Sequence, residues 1–406
     1  MVKYRILLGI SLFVALGLEC SAKDISLVQD TTVTAPTCVK YENSANKEVD
    51  TLTLKKKSGF FQKVINYFDD ANKEKPHKKF DINFIGGPHY ASDTKFGLGL
   101  VGAGIYRLNG CDSIMQPSNV SLFGDVSTVG FYLLGVRGNT LFPQNRYRLN
   151  YALFFYSFPT YYWGIGYDET NNDDNKTKMN RFQAKVKVEF LISIMKNLYI
   201  GPILTWDFVK GSKIEGNINL FDGMDLITRN YGTGITLEYD SRDLITNASR
   251  GFYFKLDQMF YPKGLWNKYS FSSTQIQTSV YKNIWKGGIF AVQLAATFNY
   301  GNPSWAMMAK LGDSNSMRGY YEGRYRDKNM VMGQIELRQH IWRRNGIVVW
   351  AATGSVFHDA QSFKHFLPNF GIGYRWEFKK GMNVRLDYGF GKSGQSSFIF
   401  NINEAF

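Results

Sequence analysis

The chain has 406 residues, of which 44% are hydrophobic, 16% aromatic and 20% charged, and its formal net charge is +14. A helical membrane protein would carry several apolar runs of about 20 residues. This chain has one long apolar run, at its start, so that class is excluded. Its Lys and Arg residues form no stripe interleaved with aromatic side chains, so we expect no nucleic-acid partner.

The first 22 residues are typical of a secretory signal peptide. Lys3 and Arg5 supply a positive start, residues 6–18 are apolar, and "CSA" at 20–22 offers the small residues that a signal peptidase reads. We therefore predict an exported protein that is cleaved before Lys23, with lipidation of the cysteine in "CSA" as the alternative. On an exported protein, the basic charge balance favours phosphate-bearing lipid and lipopolysaccharide as partners.

Residues 23–79 differ in composition from everything that follows. They are rich in Lys, Asp and Asn, and only their second part is periodic. From Ser58, which can serve as an N-cap, apolar residues recur at helical spacing: Phe60, Phe61, Val64, Ile65 and Phe68. We predict a periplasmic linker with a short amphipathic helix that plugs a lumen, lies on a membrane surface or packs against the next domain.

At Phe80 the hydrophobic period changes to two, and it stays at two as far as Phe406. In "FYFKLDQMF" at 252–260, for example, apolar and polar residues alternate. This period indicates strands with one apolar and one polar face. We predict about sixteen of them, at residues 80–87, 95–107, 118–127, 130–141, 146–157, 177–192, 197–210, 228–240, 250–261, 269–283, 286–300, 328–341, 346–358, 367–378, 383–390 and 398–406.

Three features indicate that the apolar face of these strands meets lipid. Many of the strands have 12 or more residues, whereas strands of soluble sheets average about 5–6 and a tilted membrane strand needs about 9–11. Aromatic residues cluster at strand ends, as at 154–163, and short turns alternate with long connections. The predicted fold class is all-β: a transmembrane antiparallel β-barrel over residues 80–406 of a bacterial outer-membrane protein, with both termini on the periplasmic side.

Removal of the signal peptide leaves two cysteines, Cys38 and Cys111. An even number of cysteines in an exported protein permits a disulfide. Both residues fall on the periplasmic side of the predicted topology, so we hypothesise a Cys38–Cys111 bond, with two free thiols as the alternative.

A distinctive motif lies between the eleventh and twelfth predicted strands. The segment "LGDSNSMRGYYEGRYRDKN" (311–329) contains Met317, Arg318, Gly319 and Tyr320. Gly319 permits a tight turn, Arg318 is a planar fork of donors suited to a carboxylate, and Tyr320 joins an apolar ring to a hydroxyl. A solvated surface loop with a chance Arg-Gly-Tyr is the alternative.

This tetrad resembles the V/L/M-R-G-F/Y hallmark in the sixth outer loop of the BamA/TamA-type surface-antigen superfamily, which also joins strands eleven and twelve of a sixteen-stranded barrel. Further segments that resemble the family are "LEYDSRD" (237–243), "GIGYRWEF" (371–378) and "NVRLDYGFG" (383–391). The resemblance covers roughly residues 80–406. It implies that the loop folds back into the lumen and that Arg318 docks on the inner wall of the barrel.

The chain departs from the family pattern in two places. POTRA domains usually precede the barrel, but residues 23–79 lack their alternation of strands and helices, so another protein is expected to supply that function. The thirteenth strand often carries F-x-D-x-G, and here "WAATG" (350–354) places Ala352 at the acidic position. Arg318 then needs another acid, because a buried guanidinium without one is costly. The candidates are Glu336 and Asp387, which parity places on the polar face, and Asp359.

The resemblance implies a role in outer-membrane protein assembly or translocation, as an accessory subunit whose partners are other outer-membrane assembly or surface-complex proteins. A passive outer-membrane channel, or a structural barrel of a larger surface complex, is the alternative. No enzyme is predicted, because "GDS" at 312–314 lacks the further Asp and His that an esterase needs. We expect no cofactor and no metal, since His358 and His365 show no tight ligand spacing.

Overall fold

The computed structural model describes residues 80–91, 95–108, 117–264 and 267–406. The predicted signal peptide, the linker with its helix, and both Cys38 and Cys111 lie outside the described residues. The predictions about these segments therefore stay predictions.

Sixteen strands form one antiparallel sheet in which neighbours along the chain are neighbours in space, as the sequence predicts. A separate pair, β12 and β13, lies in the connection between β11 and β14. The strands are β1 (Phe80–Ala91), β2 (Lys95–Tyr106), β3 (Ser118–Ser127), β4 (Tyr132–Leu141), β5 (Tyr147–Tyr162), β6 (Thr177–Met195), β7 (Leu198–Glu215), β8 (Ile227–Asp240), β9 (Gly251–Tyr261), β10 (Phe271–Trp285), β11 (Gly288–Gly301), β12 (Ala309–Lys310), β13 (Arg326–Asp327), β14 (Asn329–Trp342), β15 (Asn345–Phe357), β16 (Leu367–Lys379), β17 (Met382–Phe390) and β18 (Ser396–Ile402).

The helical elements of the described chain are short and lie in the connections. They are α1 (Tyr167–Asn171) and four 3-10 turns at Pro143–Asn145, Asp173–Asn175, Ile218–Phe221 and Lys392–Gly394. Within the described ranges, no helix is both long and apolar enough to cross a membrane.

The sheet is apolar on its outer face and polar on its inner face, the reverse of a soluble protein. Leu204, Phe370 and Phe398 are 59%, 57% and 65% exposed on the outer face. The inner face buries charged side chains such as Arg148 and Glu189. Such an outer surface is stable in hydrocarbon, and strands that cross hydrocarbon must satisfy their backbone groups within the sheet. The predicted all-β antiparallel fold is confirmed.

Short turns gather at one end of the strands and long connections at the other. The turns between β6 and β7, β10 and β11, and β16 and β17 have two residues each, at 196–197, 286–287 and 380–381. The long connections at 163–176 and 302–328 lie at the opposite end. In outer-membrane barrels the short turns face the periplasm and the long loops face the exterior, so the same orientation follows here.

The two ends of the sheet meet by overlap. Among the described ladders, β1 pairs with β2 alone and β18 with β17 alone. Lys379, at the end of β16, is buried and donates to the carboxylate of Asp81 (2.5 Å) and to the side chain of Asn83 (3.1 Å) in β1. Ile402 shares the outer face of β18 with Phe398 but is buried in a cluster with Ala103 of β2. The first hairpin therefore covers the outside of the last strands at the periplasmic end.

The last strand is shorter than predicted, which corrects the bound of 398–406. It ends at Ile402 because Asn403 adopts a left-handed conformation (φ 69°) and turns the chain into the lumen. Glu404 then forms an ion pair with Arg375 (2.8 Å). Phe406 reaches as far as β14, where Arg338 donates to its main-chain oxygen (2.9 Å). We call residues 403–406 the C-terminal hook.

Lys379→Met should weaken the overlap between the ends of the sheet. A buried, charge-assisted hydrogen bond contributes about 1.5–3 kcal/mol, so we expect a loss of that size in the free energy of unfolding. The temperature at which the folded form is lost on unboiled gels measures it. Lys286→Met, an exposed lysine in another periplasmic turn, is the matched control. Equal stability of the two variants would show that the overlap contributes nothing.

Candidate functional site

The connection between β11 and β14 folds back into the barrel instead of projecting outward. Its two short strands pair, with Lys310 opposite Arg326. Its apolar side chains are buried against the inner faces of β14, β15 and β16 in a cluster of Leu311, Met317, Tyr320, Tyr325, Met332, Val356 and Leu367. We call residues 302–328 the lumenal loop.

Arg318 anchors the lumenal loop on the barrel wall. Its side chain is fully buried, and it donates to the carboxylates of Asp387 in β17 (2.8 Å) and Glu336 in β14 (2.5 Å). The planar guanidinium reaches both acids at once, because two different N–H groups of its rigid fork each meet one carboxylate. The structure thus brings Arg318 together with two of the three acids considered. The third, Asp359, lies in an exterior loop and accepts from the backbone N–H groups of Gln361 and Ser362.

Both acids that hold Arg318 have further cationic partners. Arg338 donates to Glu336 (2.7 Å), and Arg375 donates to Asp387 (2.5 Å). The guanidinium of Arg385 also lies near Asp387, at 3.5 Å. It donates to the Ser314 carbonyl of the lumenal loop (2.8 Å) as well. The wall therefore presents a shared network of charges, in which each carboxylate stays paired whether or not the loop is docked.

An aromatic ring lies against the guanidinium, two residues before the position at which family members often place the acid. The guanidinium of Arg318 lies 3.7 Å from the centroid of the Trp350 ring, an attractive cation–π geometry. Trp350 is the first residue of the "WAATG" segment and pairs across the ladder with Glu336. Its indole N–H donates to Asn369 (3.0 Å), whose amide in turn donates to the Arg318 carbonyl. Ala352 packs at the edge of the apolar cluster.

Trp350 and Asn369 were missed by the sequence reasoning, as were the arginines of the wall. One signal was available for two of the arginines: Arg338 and Arg385 each lie two residues from an identified inward acid on the same strand, Glu336 in β14 and Asp387 in β17. Parity alone, however, does not distinguish an inward residue at the height of the loop from one above or below it.

Two glycines let the lumenal loop approach the wall at backbone distance. Gly319 has φ of 128°, and a Cβ there would lie 2.6 Å from the carbonyl carbon of Gly389 in β17. A Cβ on Gly389 would lie 1.8 Å from the Arg318 carbonyl oxygen. Neither position accepts a side chain without displacing the loop.

The tyrosines after the glycine tie the loop to both sides of the lumen. Tyr320 donates to the Pro368 carbonyl (2.5 Å) and accepts from the Lys392 backbone (2.8 Å) on the β16–β18 side. Burial raises the pKa of Tyr320 to about 12, so its hydroxyl stays protonated at neutral pH. Tyr321 contacts Thr160 (3.1 Å) and accepts from the Tyr161 N–H (3.2 Å) in β5. The loop therefore crosses the lumen.

The exterior loops close over the lumenal loop. Arg324 donates to the Thr170 carbonyl of α1 (3.2 Å) and forms an ion pair with Asp173 (2.8 Å). Tyr325 donates to Asn171 (3.2 Å). In the part of the chain that the structure describes, no three His, Cys, Asp or Glu side chains lie close enough together to hold a metal ion.

A protein-family model described as the Omp85 superfamily domain matches residues 137–406. Among solved structures, the chain is similar to BamA from Haemophilus ducreyi lacking POTRA domains 1–3, with 12% identity, a TM-score of 0.51, and coverage of 80% of this chain and 70% of that one. It is similar to CdiB from Escherichia coli with 9% identity, a TM-score of 0.51, and coverage of 81% of this chain and 62% of that one. No curated protein matches the chain in sequence. At these identities the similarity concerns the fold.

Removing the wall acids should destabilise the protein more than removing Arg318. Arg318→Ala leaves Glu336 and Asp387 paired with Arg338 and Arg375. The double variant Glu336→Gln with Asp387→Asn strands a buried guanidinium, and breaking a buried pair from one side costs about 3–5 kcal/mol. Urea titration of folded protein should rank wild type above Arg318→Ala and Arg318→Ala above the double variant.

The matched control for this ranking is Glu215→Gln with Asp222→Asn, which removes two exposed acids at the exterior end of the strands, including the solvent-exposed pair of Glu215 with Lys178 (3.0 Å). It should unfold like wild type. If the wall double variant is no less stable than Arg318→Ala, the buried guanidinium does not depend on the wall acids in the way described.

Gly389→Ala should push the lumenal loop off the wall, because the new methyl group would collide with the Arg318 carbonyl. Faster tryptic cleavage after Arg324, which is buried in the folded protein, would report the displaced loop. Gly124→Ala is the control, since a Cβ there meets nothing closer than 4.0 Å. Equal cleavage of both variants would rule out the close contact.

Proposed function

The chain belongs to the Omp85 superfamily of outer-membrane β-barrel proteins, and we propose that it acts in the assembly or translocation of outer-membrane proteins. We further propose an accessory role beside other outer-membrane proteins. Residues 23–79 lack the strand–helix alternation of the POTRA modules that usually serve substrate delivery in this family, which supports that role.

One observation carries this proposal: the lumen is crossed by a loop that is held by buried charges. Arg318, with Glu336 and Asp387, is fully buried. Charged groups are costly to remove from water and are kept where their specific geometry is needed. A passive channel needs an open lumen, whereas Tyr321 carries the loop as far as β5 on another side of the barrel.

The proposed mechanism is non-catalytic and acts at the overlap of β1 with β16–β18. An edge strand offers unpaired backbone groups to which a client strand can add. β18 has 7 residues, which span about 23 Å at about 3.3 Å per residue. That is less than the roughly 30 Å hydrocarbon core of a bilayer, whereas β6 has 19 residues. The bilayer would thin beside β18, which lowers the barrier to inserting a client.

Depletion of the protein in its own cells tests the proposal. We expect the abundance of other outer-membrane barrel proteins to fall in quantitative proteomics of isolated outer membranes. Wild-type protein supplied from a plasmid should restore them, and Arg318→Ala should restore them less at equal abundance of the folded variant. The Glu215→Gln variant is the control for expression.

An unchanged outer-membrane proteome, together with large ion conductance of the purified wild-type protein in planar bilayers, would contradict an assembly role and favour the passive channel. Because the lumenal loop crosses the lumen, we expect low conductance in wild type and higher conductance in Gly389→Ala.

A further inference from the structure

A groove of about 480 Å³ lies on the lipid-facing side of the barrel, away from the lumenal loop. Its position follows from strand parity. Ile203 and Val209 of β7 are fully buried inward, so Leu204 and Trp206 face outward. The residues that line the groove include Leu204, Trp206, Tyr231, Thr233, Pro262 and Asn267.

The groove forms because two ladders of the sheet end at different heights. The β7–β8 ladder runs as far as Lys210 opposite Ile227, but the β8–β9 ladder stops at Thr233 opposite Phe260. Beyond that point the side chain of Asn267 replaces the missing strand. It accepts from the Tyr231 N–H (2.7 Å) and donates to the Tyr231 carbonyl (2.8 Å). The backbone of Tyr231 is satisfied, while no residue that the structure describes fills the volume that β9 would occupy.

Cations border the groove on its exterior side. The row next to Trp206 and Tyr231 pairs Phe208 with Arg229, and the following row holds Lys210. Each row is two residues, or about 7 Å, further along the strands. Arg229 is exposed on the outer face with its guanidinium 5.6 Å from the Phe208 ring.

Three of the cations around the rim of the groove have no acidic partner within the described chain. Lys210, Arg229 and Lys263, the residue after Pro262, are exposed and form no ion pair with any residue that the structure describes. Their neighbour Lys268, by contrast, is paired with Asp225 (2.6 Å). The rim is therefore positive, and it stands at the end of the strands that carries the long exterior loops.

We propose that this groove binds a phosphorylated, acylated glycolipid of the outer leaflet, the chemistry of lipopolysaccharide. One acyl chain lies in the groove against Leu204 and Trp206, and a headgroup phosphate lies between Lys210, Arg229 and Lys263. A guanidinium and two ammonium groups suit a phosphate, and the apolar floor suits a hydrocarbon chain. The charge and the apolar surface thus recognise two ends of one molecule.

The test uses the purified full-length protein and native mass spectrometry with three probes: bisphosphorylated lipid A, its phosphate-free counterpart and phosphatidylethanolamine. The variant K210Q/R229Q/K263Q removes the rim charge. Each basic residue at a membrane surface contributes roughly a factor of five in affinity, so we expect lipid A binding to fall roughly a hundredfold. Phosphate-free lipid A should bind wild type and the variant equally weakly.

The matched control is K282Q/K286Q/R343Q, which removes three exposed cations at the periplasmic end. One of them, Arg343, also lies over an aromatic ring, that of Trp342 (4.5 Å). This control should bind lipid A like wild type. A second variant, Thr233→Phe, fills the groove without changing charge and should weaken lipid A binding. Heat-modifiable gel mobility verifies that each variant is folded.

The proposal fails if the rim variant binds lipid A as tightly as wild type, or if the rim and periplasmic variants lose binding equally. It also fails if Thr233→Phe binds as tightly as wild type, or if phosphatidylethanolamine binds as tightly as lipid A. The inference does not depend on the role in assembly, because lipid binding is measured on the isolated protein and client abundance in cells.

Discussion

The docking of Arg318 between two carboxylates is the interaction on which the interior of this barrel depends. Glu336 and Asp387 belong to strands that are not neighbours in the sheet, and one guanidinium joins them at 2.5 and 2.8 Å. Because the group is fully buried, the interaction resists screening by salt, and removal of both acids would strand the Arg318 guanidinium in a site of low dielectric. The close approach at the glycines and the contacts of the tyrosines across the lumen both require that Arg318 is docked in this position. The lumenal loop is thus part of the wall's electrostatics and not a cover laid over it.

The fold was predictable from the sequence because a lipid-facing sheet imposes a simple pattern of apolar and polar residues. Each strand alternates between an outer position that must be apolar and an inner position that is free to be polar, so the period of two persists over more than three hundred residues. All sixteen predicted strands occur in the sheet, and the family suggested by the tetrad around Arg318 is the family to which the chain belongs. Local alternation does not specify where a strand stops, which is why β5 and β7 run further toward the exterior than predicted, and β6 runs further toward the periplasm.

The site was only partly predictable. Parity placed Glu336 and Asp387 on the inner face, and the structure brings both to Arg318. Parity did not reveal that Trp350 lies beneath the guanidinium, because that depends on the stagger of β14 against β15 and on the height at which the loop docks. The turn at Asn403 was also missed. The alternation of apolar residues that begins at Phe398 and Phe400 gives no sign that the strand is about to end. A single residue in the left-handed conformation, Asn403, changes the direction of the chain. Contacts between distant segments determine these features.

The C-terminal hook links the overlap of the sheet ends to the far side of the barrel. Glu404 is bound to Arg375 within the wall network, and Phe406 lies near Tyr281 and Arg338 on β10 and β14. β18 cannot swing away from β17 as a simple flap, because its end would have to withdraw the Phe406 ring from β10 and β14. It would also have to separate the buried ion pairs of Glu404 with Arg375 and Arg338. Any opening of the barrel at β18 is therefore a concerted and slow event. Its rate is set by the release of the C-terminal hook more than by the hydrogen bonds of the edge strand.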